Sequence, residues 1–392
     1  MIYFDNAATT WPKPDSVSRA VYDCLTGMYG NPGRGGHRLS LAAADAVYDC
    51  RAAVAEMFGS EHPENVVFTY NDTYALNTAI KSLAVRGSHM LISGIEHNSV
   101  LRPAAALSAR GTCYSVYEVS TDEEQTLRRI REGVRPDTRI IVANHGSNIC
   151  GLRLPIKKIG ELCDELRRQR LRMKRQTPLY FIVDAAQTAG CTDIDINDCG
   201  IDILCASGHK GLYGPQGSGF LIFGDRIGED PALLASFIEG GSGVSSAELN
   251  MPLTLPERFE AGTLSVPAIM GLKKGIEFVS ERGASSIYDA QRGLGLRLID
   301  MITGLRGAHV YMPEYVGGTV LFNIDGIPSE KLAAALDSRG ICVRAGLHCS
   351  PLAHKTLGTP YYGAVRASFG AFNTCEETDC FYRELKDILK TV

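Results

Sequence analysis

Short apolar runs and longer amphipathic stretches alternate along this chain. Residues 66–69, 90–93, 139–143, 180–183, 201–206 and 219–223 read as short buried strands. Between them lie helical patterns: an alanine-rich one over about 39–58, one carrying Leu76, Ile80 and Leu83, and one with Ile156, Ile159, Cys163 and Leu166 on a single face. Strands alternating with helices predict a mostly parallel sheet with helices on both faces. A long helix from about Ala268 follows, then a strand over 319–324, a helix over 329–339, a strand over 341–344 and a last helix from Glu376. That tail reads as a smaller α+β unit. The expected fold class is α/β: a large domain over 16–255 and a small C-terminal domain of 256–392 joined by residues 1–15.

The polar residues that end these strands carry the candidate chemistry. The run 180–183 stops at Asp184 and then Gln187, and the run 201–206 stops at Ser207, His209 and Lys210. Ligands of parallel sheets sit outside the carboxyl ends of the strands, so an acid and a lysine would meet at one ligand. Pyridoxal phosphate needs that pair: its aldehyde takes a lysine, and its ring nitrogen takes a carboxylate. A lone Asp after a strand is also a common helix cap, and a lone loop Lys is commonly solvated. Two more ends are polar: Glu96-His97-Asn98, and Asn144, His145, Ser147 and Asn148. Asn71-Asp72-Thr73 joins a strand to a helix start, where unpaired N–H groups can face a phosphate.

Composition narrows the class. Of 392 residues, 45% are hydrophobic and 21% charged, ordinary for a globular protein. A net charge of -4 argues against a general nucleic-acid binder. The basic run Arg167, Arg168, Arg170, Arg172, Lys174, Arg175 reads as a solvated helix end, with nucleic-acid contact the lesser alternative. The 12 cysteines include no Cys-x-x-Cys; Cys163 and Cys205 fall inside apolar patterns as core residues. No metal site is expected. The N-terminus lacks a signal-peptide layout, and no apolar run nears the roughly 20 residues of a membrane span. The expectation is a cytoplasmic protein with no membrane association.

Taken in order, Ser207-Gly208-His209-Lys210 with Gly214-Pro215, Val183-Asp184-Ala185-Ala186-Gln187, Phe259-Glu260-Ala261-Gly262-Thr263 and Arg366-Ala367-Ser368 form one set. The set resembles the class V aminotransferase superfamily of pyridoxal-phosphate enzymes with fold type I, and within it the cysteine desulfurases and selenocysteine lyases. The resemblance implies that Lys210 holds pyridoxal 5'-phosphate covalently and shuttles a proton, and that Asp184 pairs with the ring nitrogen. His97 would stack on the ring, Asn148 and Gln187 would bond its phenolic oxygen, and Thr73, Ser207 and His209, with Asp72 beside them, would hold the phosphate. Thr263 would reach the phosphate of a neighbouring subunit, which implies a homodimer with shared sites. Arg366, with Asn148 and Arg344 near it, would bind the substrate; a guanidinium grips a carboxylate through two parallel hydrogen bonds. For Arg366 the ordinary alternative is a surface salt bridge.

Cys349 chooses the reaction. Arg344-Ala345-Gly346-Leu347-His348-Cys349-Ser350-Pro351 resembles the short active-site loop of the group II desulfurases. The implied activity converts L-cysteine to L-alanine, leaving a persulfide on Cys349 for an acceptor protein or small thiol. His348 and Arg344 would supply the positive charge that favours the thiolate. The alternatives are a selenocysteine lyase acting on L-selenocysteine, another class V activity such as an aminotransferase or epimerase, and a non-catalytic scaffold. Three residues depart from the family pattern. Asp72 stands where a small or hydroxyl residue is usual, and a carboxylate beside a phosphate is unfavourable; capping the next helix is its other expected role. Tyr74 stands in place of the usual glutamate, and Leu347 where a second histidine is common.

Overall fold

The structure is a computed structural model that describes residues 1–33, 35–174, 177–228, 234–312, 314, 317–359 and 361–390. Arg175 of the basic run lies outside the described residues. The first strand, β1 (Ile2–Tyr3), stands apart from the central sheet. Seven strands build that sheet: β2 (Val66–Thr69), β3 (His89–Ser93), β4 (Cys113–Tyr117), β5 (Thr138–Asn144), β6 (Tyr180–Asp184), β7 (Ile203–Ser207) and β8 (Gly219–Phe223). Their order is β2-β8-β7-β6-β5-β3-β4. Strands β7, β6, β5, β3 and β4 are parallel neighbours, and β8 runs antiparallel to β7 and to β2.

Every residue of β3, β6, β7 and β8 is buried, so both faces of the sheet must be covered. The period-2 alternation of a strand sends successive side chains to opposite faces. Phe181 and Val183 pack with Val47, Ile159 and Ile269 from the helices Arg38–Met57, Ile156–Arg172 and Val266–Arg282. Tyr180 and Ile182 pack on the other face with Leu76, Ile80, Val100 and Ala104 from the helices Asp72–Leu83 and Asn98–Ser108.

A second, antiparallel sheet uses β9 (Ala308–Tyr311), β10 (Thr319–Ile324), β12 (Arg344–Gly346) and β13 (Ala364–Ser368), in the order β12-β13-β10-β9. The short β11 (Ile341–Cys342) pairs in parallel with β1. Phe4, Leu298, Phe322 and Phe381 lie in the core beneath this second sheet.

Several boundaries differ from the sequence reading. The expected strand over 341–344 is two pieces, β11 and β12, that serve different sheets. The strand expected from 201 starts at Ile203, because the Asp202 carboxylate turns inward to accept the Phe181 N–H at 2.6 Å. The long helix after 266 breaks at Gly283, whose φ of +83° no ordinary side chain favours, and resumes as Ala284–Thr303. The basic run is not simply a solvated helix end: Arg167 binds Asp202 and Asp164, and the buried Arg170 donates to the Arg135 carbonyl. Among the described residues no helix is long and apolar enough to cross a membrane.

Gly160 tests how tightly the helix Ile156–Arg172 packs. In an exposed helix Gly→Ala gains about 1 kcal/mol. Here a Cβ would stand 1.9 Å from the Cys199 carbonyl oxygen, a backbone atom. Overlap outweighs propensity, and Gly160→Ala is expected to destabilise the protein by about 1–3 kcal/mol, read as a lower urea midpoint. A midpoint at or above that of the unmutated protein would contradict this packing.

Candidate active site

The carboxyl ends of β5, β6 and β7 and the start of the helix Asp72–Leu83 enclose one cavity. Asp184 and Gln187 enter it after β6, and Ser207, His209 and Lys210 enter it at the end of β7. His97 and Asn148 close it from neighbouring strand ends. The acid and the lysine expected to meet are therefore in one place. Asp184 is fixed by the Ala186 N–H, which donates to its Oδ1 at 2.9 Å. Burial raises the Asp184 carboxyl, while the Ala186 N–H and Lys210 oppose the rise. Burial lowers the Lys210 ammonium, while Asp72 and Asp184 hold it up. Each group thus supports the charge of the other in a site that disfavours both.

The cup at the helix start differs from the expectation for Asp72. Asn71 is the cap: its side chain accepts the Tyr74 N–H at 3.0 Å. Asp72 is buried and lines the cavity with Thr73, and its Oδ1 has no hydrogen-bond partner. Burial, then the Asp184 charge, pushes its carboxyl well above the usual range. Ser207 Oγ and His209 Nδ1 are also buried there without partners. A hydroxyl and an imidazole, unpaired beside a helix N-terminus, and a carboxyl that burial pushes toward its neutral form fit a phosphate oxygen cluster. Because burial pushes Asp72 toward its neutral form, the repulsion that an ionised carboxylate would impose on a phosphate is weakened. These donors, with Lys210 and Asp184, fit pyridoxal phosphate. Thr263 lies elsewhere, in a second cavity with Tyr74 and Phe237.

His97 caps the helix Asn98–Ser108, its Nδ1 accepting the Ser99 N–H at 3.1 Å. The proton of the neutral ring therefore sits on Nε2. Burial, then the Lys210 and Arg344 charges, lowers His97 to about 4, so the ring is neutral near pH 7. Gln187 donates to the Ala7 carbonyl at 3.0 Å, which ties it to the N-terminal segment.

The loop carrying Cys349 docks on this cavity through Asn148. The Asn148 amide donates to the His348 carbonyl at 2.9 Å and accepts from Ser350 Oγ at 2.7 Å. The side chain expected to bond ring and substrate thus also holds the loop, while it still lines the cavity. The Asn98 N–H donates to the Cys349 carbonyl at 2.8 Å. These bonds hold His348 and Cys349 at φ of +50° and +58°. Each such non-glycine residue costs on the order of 1–2 kcal/mol. Cys349 is exposed, with Arg344 Nη2 4.0 Å from its Sγ. His348 does not supply positive charge as expected: burial, then Arg366, lowers it to about 2, so the imidazole is neutral. Arg344 is left as the cation beside the thiol.

Arg366 is 1% exposed on β13, not at the surface. It donates to Asp5 Oδ1 at 2.6 Å and to the Asn148 carbonyl at 2.9 Å, and its Nε is buried without a partner. Burial lowers its pKa, and Asp5 raises it. Sequence reading assigned nothing to Asp5, to Thr10 and Lys13, or to Glu96. Thr10 donates to the Lys210 carbonyl at 3.0 Å and Lys13 to the His209 carbonyl at 2.8 Å, so the N-terminal segment braces the lysine loop. Glu96 Oε1 accepts from Ser93 Oγ at 2.6 Å and from the Asn144 N–H at 2.8 Å, joining the ends of β3 and β5. The available signal for Glu96 was its place between a buried strand and His97.

Known proteins resemble this chain along nearly its whole length. Residues 2–381 match the aminotransferase class-V family. A protein of Methanothermobacter thermautotrophicus, named as a probable cysteine desulfurase, is 32% identical over 99% of this chain and 94% of its own length. One of Pyrococcus abyssi with the same name is 30% identical over 100% and 95%. The apo structure of a cysteine desulfurase from Thermococcus onnurineus superposes with a TM-score of 0.88 at 29% identity, covering 100% of this chain and 95% of that one.

Glu96 yields a pH prediction. Burial, then Asp184, pushes it up to about 8; in an unfolded chain a Glu titrates near ~4.3. Between those values the folded protein keeps a proton that the unfolded chain has lost. The contribution is fully present below the lower value and is lost as pH rises toward the upper one, by about 1.4 kcal/mol per pH unit. Glu96→Gln keeps the neutral acceptor and does not titrate. Urea unfolding of the cofactor-free proteins should show the variant gaining on the unmutated protein by on the order of 2–4 kcal/mol between about pH 5 and about pH 8. Parallel pH profiles would mean that Glu96 is already ionised in the fold.

Proposed function

The chain belongs to the aminotransferase class-V family, and we propose that within it this protein is a pyridoxal-phosphate-dependent cysteine desulfurase. The observation that carries the reading is Cys349, held exposed on a left-handed loop that Asn148 fastens to the cavity of Lys210 and Asp184. A transaminase needs no such thiol. Among 12 free cysteines, most are buried, and burial pushes Cys50 and Cys163 up to about 12.

When bound, the cofactor supplies an electron sink for the charge that develops at the substrate Cα. Lys210 is its covalent anchor and the base that moves the Cα proton. Asp184 keeps the proton on the ring nitrogen. Ser207, His209 and Thr73 hold the phosphate, with Asp72 beside them, and neutral His97 presents its ring face. Arg366 binds the substrate carboxylate with the donors that Asp5 and Asn148 leave free. Cys349 then attacks the substrate sulfur as thiolate. An S–S bond forms, the substrate C–S bond breaks, and its electron pair goes to carbon, which takes a proton to give L-alanine. The persulfide passes to an acceptor thiol on a protein or small molecule.

We also read the protein as a homodimer with shared sites. Thr263 lies away from the Lys210 cavity, and the stretch around it exposes Ile238, Val244, Leu249 and Leu253. Selenocysteine lyase, which would use the same residues, is the second reading; Leu347 in place of a second histidine bears either on acid–base chemistry or on the choice between sulfur and selenium.

Lys210→Ala should abolish the visible absorbance band of the cofactor-loaded protein, and Cys349→Ala should abolish sulfide release from L-cysteine while keeping that band. An unmutated protein without the band ends the cofactor assignment. Turnover of L-selenocysteine alone, undiminished in Cys349→Ala, would replace the desulfurase with the lyase.

A further inference from the structure

Behind the Cys349 loop lies a pair of imidazoles of which one, His354, has no role in the reaction described above. His348 and His354 lie nearly parallel, 5.4 Å between ring centroids and 14° between planes. Both are buried. His348 Nδ1 meets His354 Nε2 at 3.2 Å, His354 Nδ1 meets Thr359 Oγ1 at 2.8 Å, and His348 Nε2 faces the Arg344 carbonyl at 3.4 Å.

The chemistry of the end groups orders the protons. A carbonyl only accepts, so His348 carries its proton on Nε2 and leaves Nδ1 as an acceptor. His354 must then donate from Nε2, which leaves its own Nδ1 to accept from the Thr359 hydroxyl. The chain runs one way, from Thr359 through His354 and His348 to the Arg344 carbonyl. Burial keeps both rings neutral, His354 at about 4 and His348 lower still.

Two consecutive residues of this loop sit in the left-handed region, which persists only where surrounding contacts over-determine it. Asn148 and Asn98 hold the backbone from the cavity side. The imidazole chain holds the His348 side chain from the opposite side, on the helix Pro351–Thr356 and the turn after it.

We propose that His354 and Thr359 are positioning residues for Cys349: they set the tautomer and ring orientation of His348, which fixes the turn that presents the thiol beside Arg344. The proposal rests on Cys349 being the sulfur-accepting thiol. A loosened turn leaves cofactor and substrate binding intact and impairs only the step at Cys349.

The test compares His354→Phe, Thr359→Val and Thr359→Ser in the cofactor-loaded protein. His354→Phe and Thr359→Val should keep the absorbance band and the half-saturating L-cysteine concentration but lower the rate of alanine release by about tenfold or more. Thr359→Ser, which restores the donor, should return it to near the unmutated rate. In proton NMR, a downfield, slowly exchanging imidazole proton should appear in the unmutated protein and in Cys349→Ala and vanish in His354→Phe. Alanine release at the unmutated rate in folded Thr359→Val and His354→Phe overturns the proposal, as does absence of the shared proton from the unmutated protein. If His354→Phe does not fold, Thr359→Val decides, since it keeps both rings and loses one donor. An unmutated protein that releases no alanine fails the reading of the reaction, while the proton signal still judges the relay.

Discussion

The charge of Arg366 is the constraint around which the site is assembled. A guanidinium cannot be neutralised in a protein, so once buried it must be paired and hydrogen-bonded. At 1% exposure it takes Asp5 from the N-terminal segment and the Asn148 carbonyl from the end of the central sheet. Three stretches remote in sequence are tied at one cation. Asn148, fixed by its backbone, then uses its side chain to fasten the Cys349 loop. The thiol is therefore placed by the same residue that anchors the buried arginine.

Asp5 also tunes what Arg366 can do. One arm of the guanidinium is engaged by a carboxylate before any substrate arrives, and Nε remains buried and unpaired. A substrate carboxylate would satisfy that orphan donor. An unpaired buried donor costs on the order of 1–3 kcal/mol, so filling it favours binding. Under the proposed function, a permanently buried arginine would thus serve both the fold and a ligand.

Around this cation the other titratable groups are pushed toward neutrality. His97, His209, His348 and His354 are all lowered by burial, and Asp72, Asp184 and Glu96 are all raised. Neutral imidazoles can accept as well as donate, which is what the His97 cap and the His348–His354 chain require. Lys210, Arg344 and Arg366 are the basic groups that a bound anion would meet there. A phosphate and a substrate carboxylate are the anions that such a site suits.

Much of this was readable from the chain alone. Buried strands with polar ends announced a parallel sheet and its ligand edge, because period-2 burial and strand-end chemistry are local properties. The motifs around Lys210, Asp184 and Cys349 marked the chemistry for the same reason. What the chain could not disclose was the state and partner of each group. Asp72 looked like a helix cap until Asn71 took that place, and His348 looked like a cation until burial made it neutral. Asp5 and Glu96 carried no local signal beyond an acid near an apolar run, and His354 and Thr359 carried none. Partners come from residues hundreds of positions apart, and a group's charge depends on how much water remains around it. Both follow from packing, and only the tertiary structure decided them.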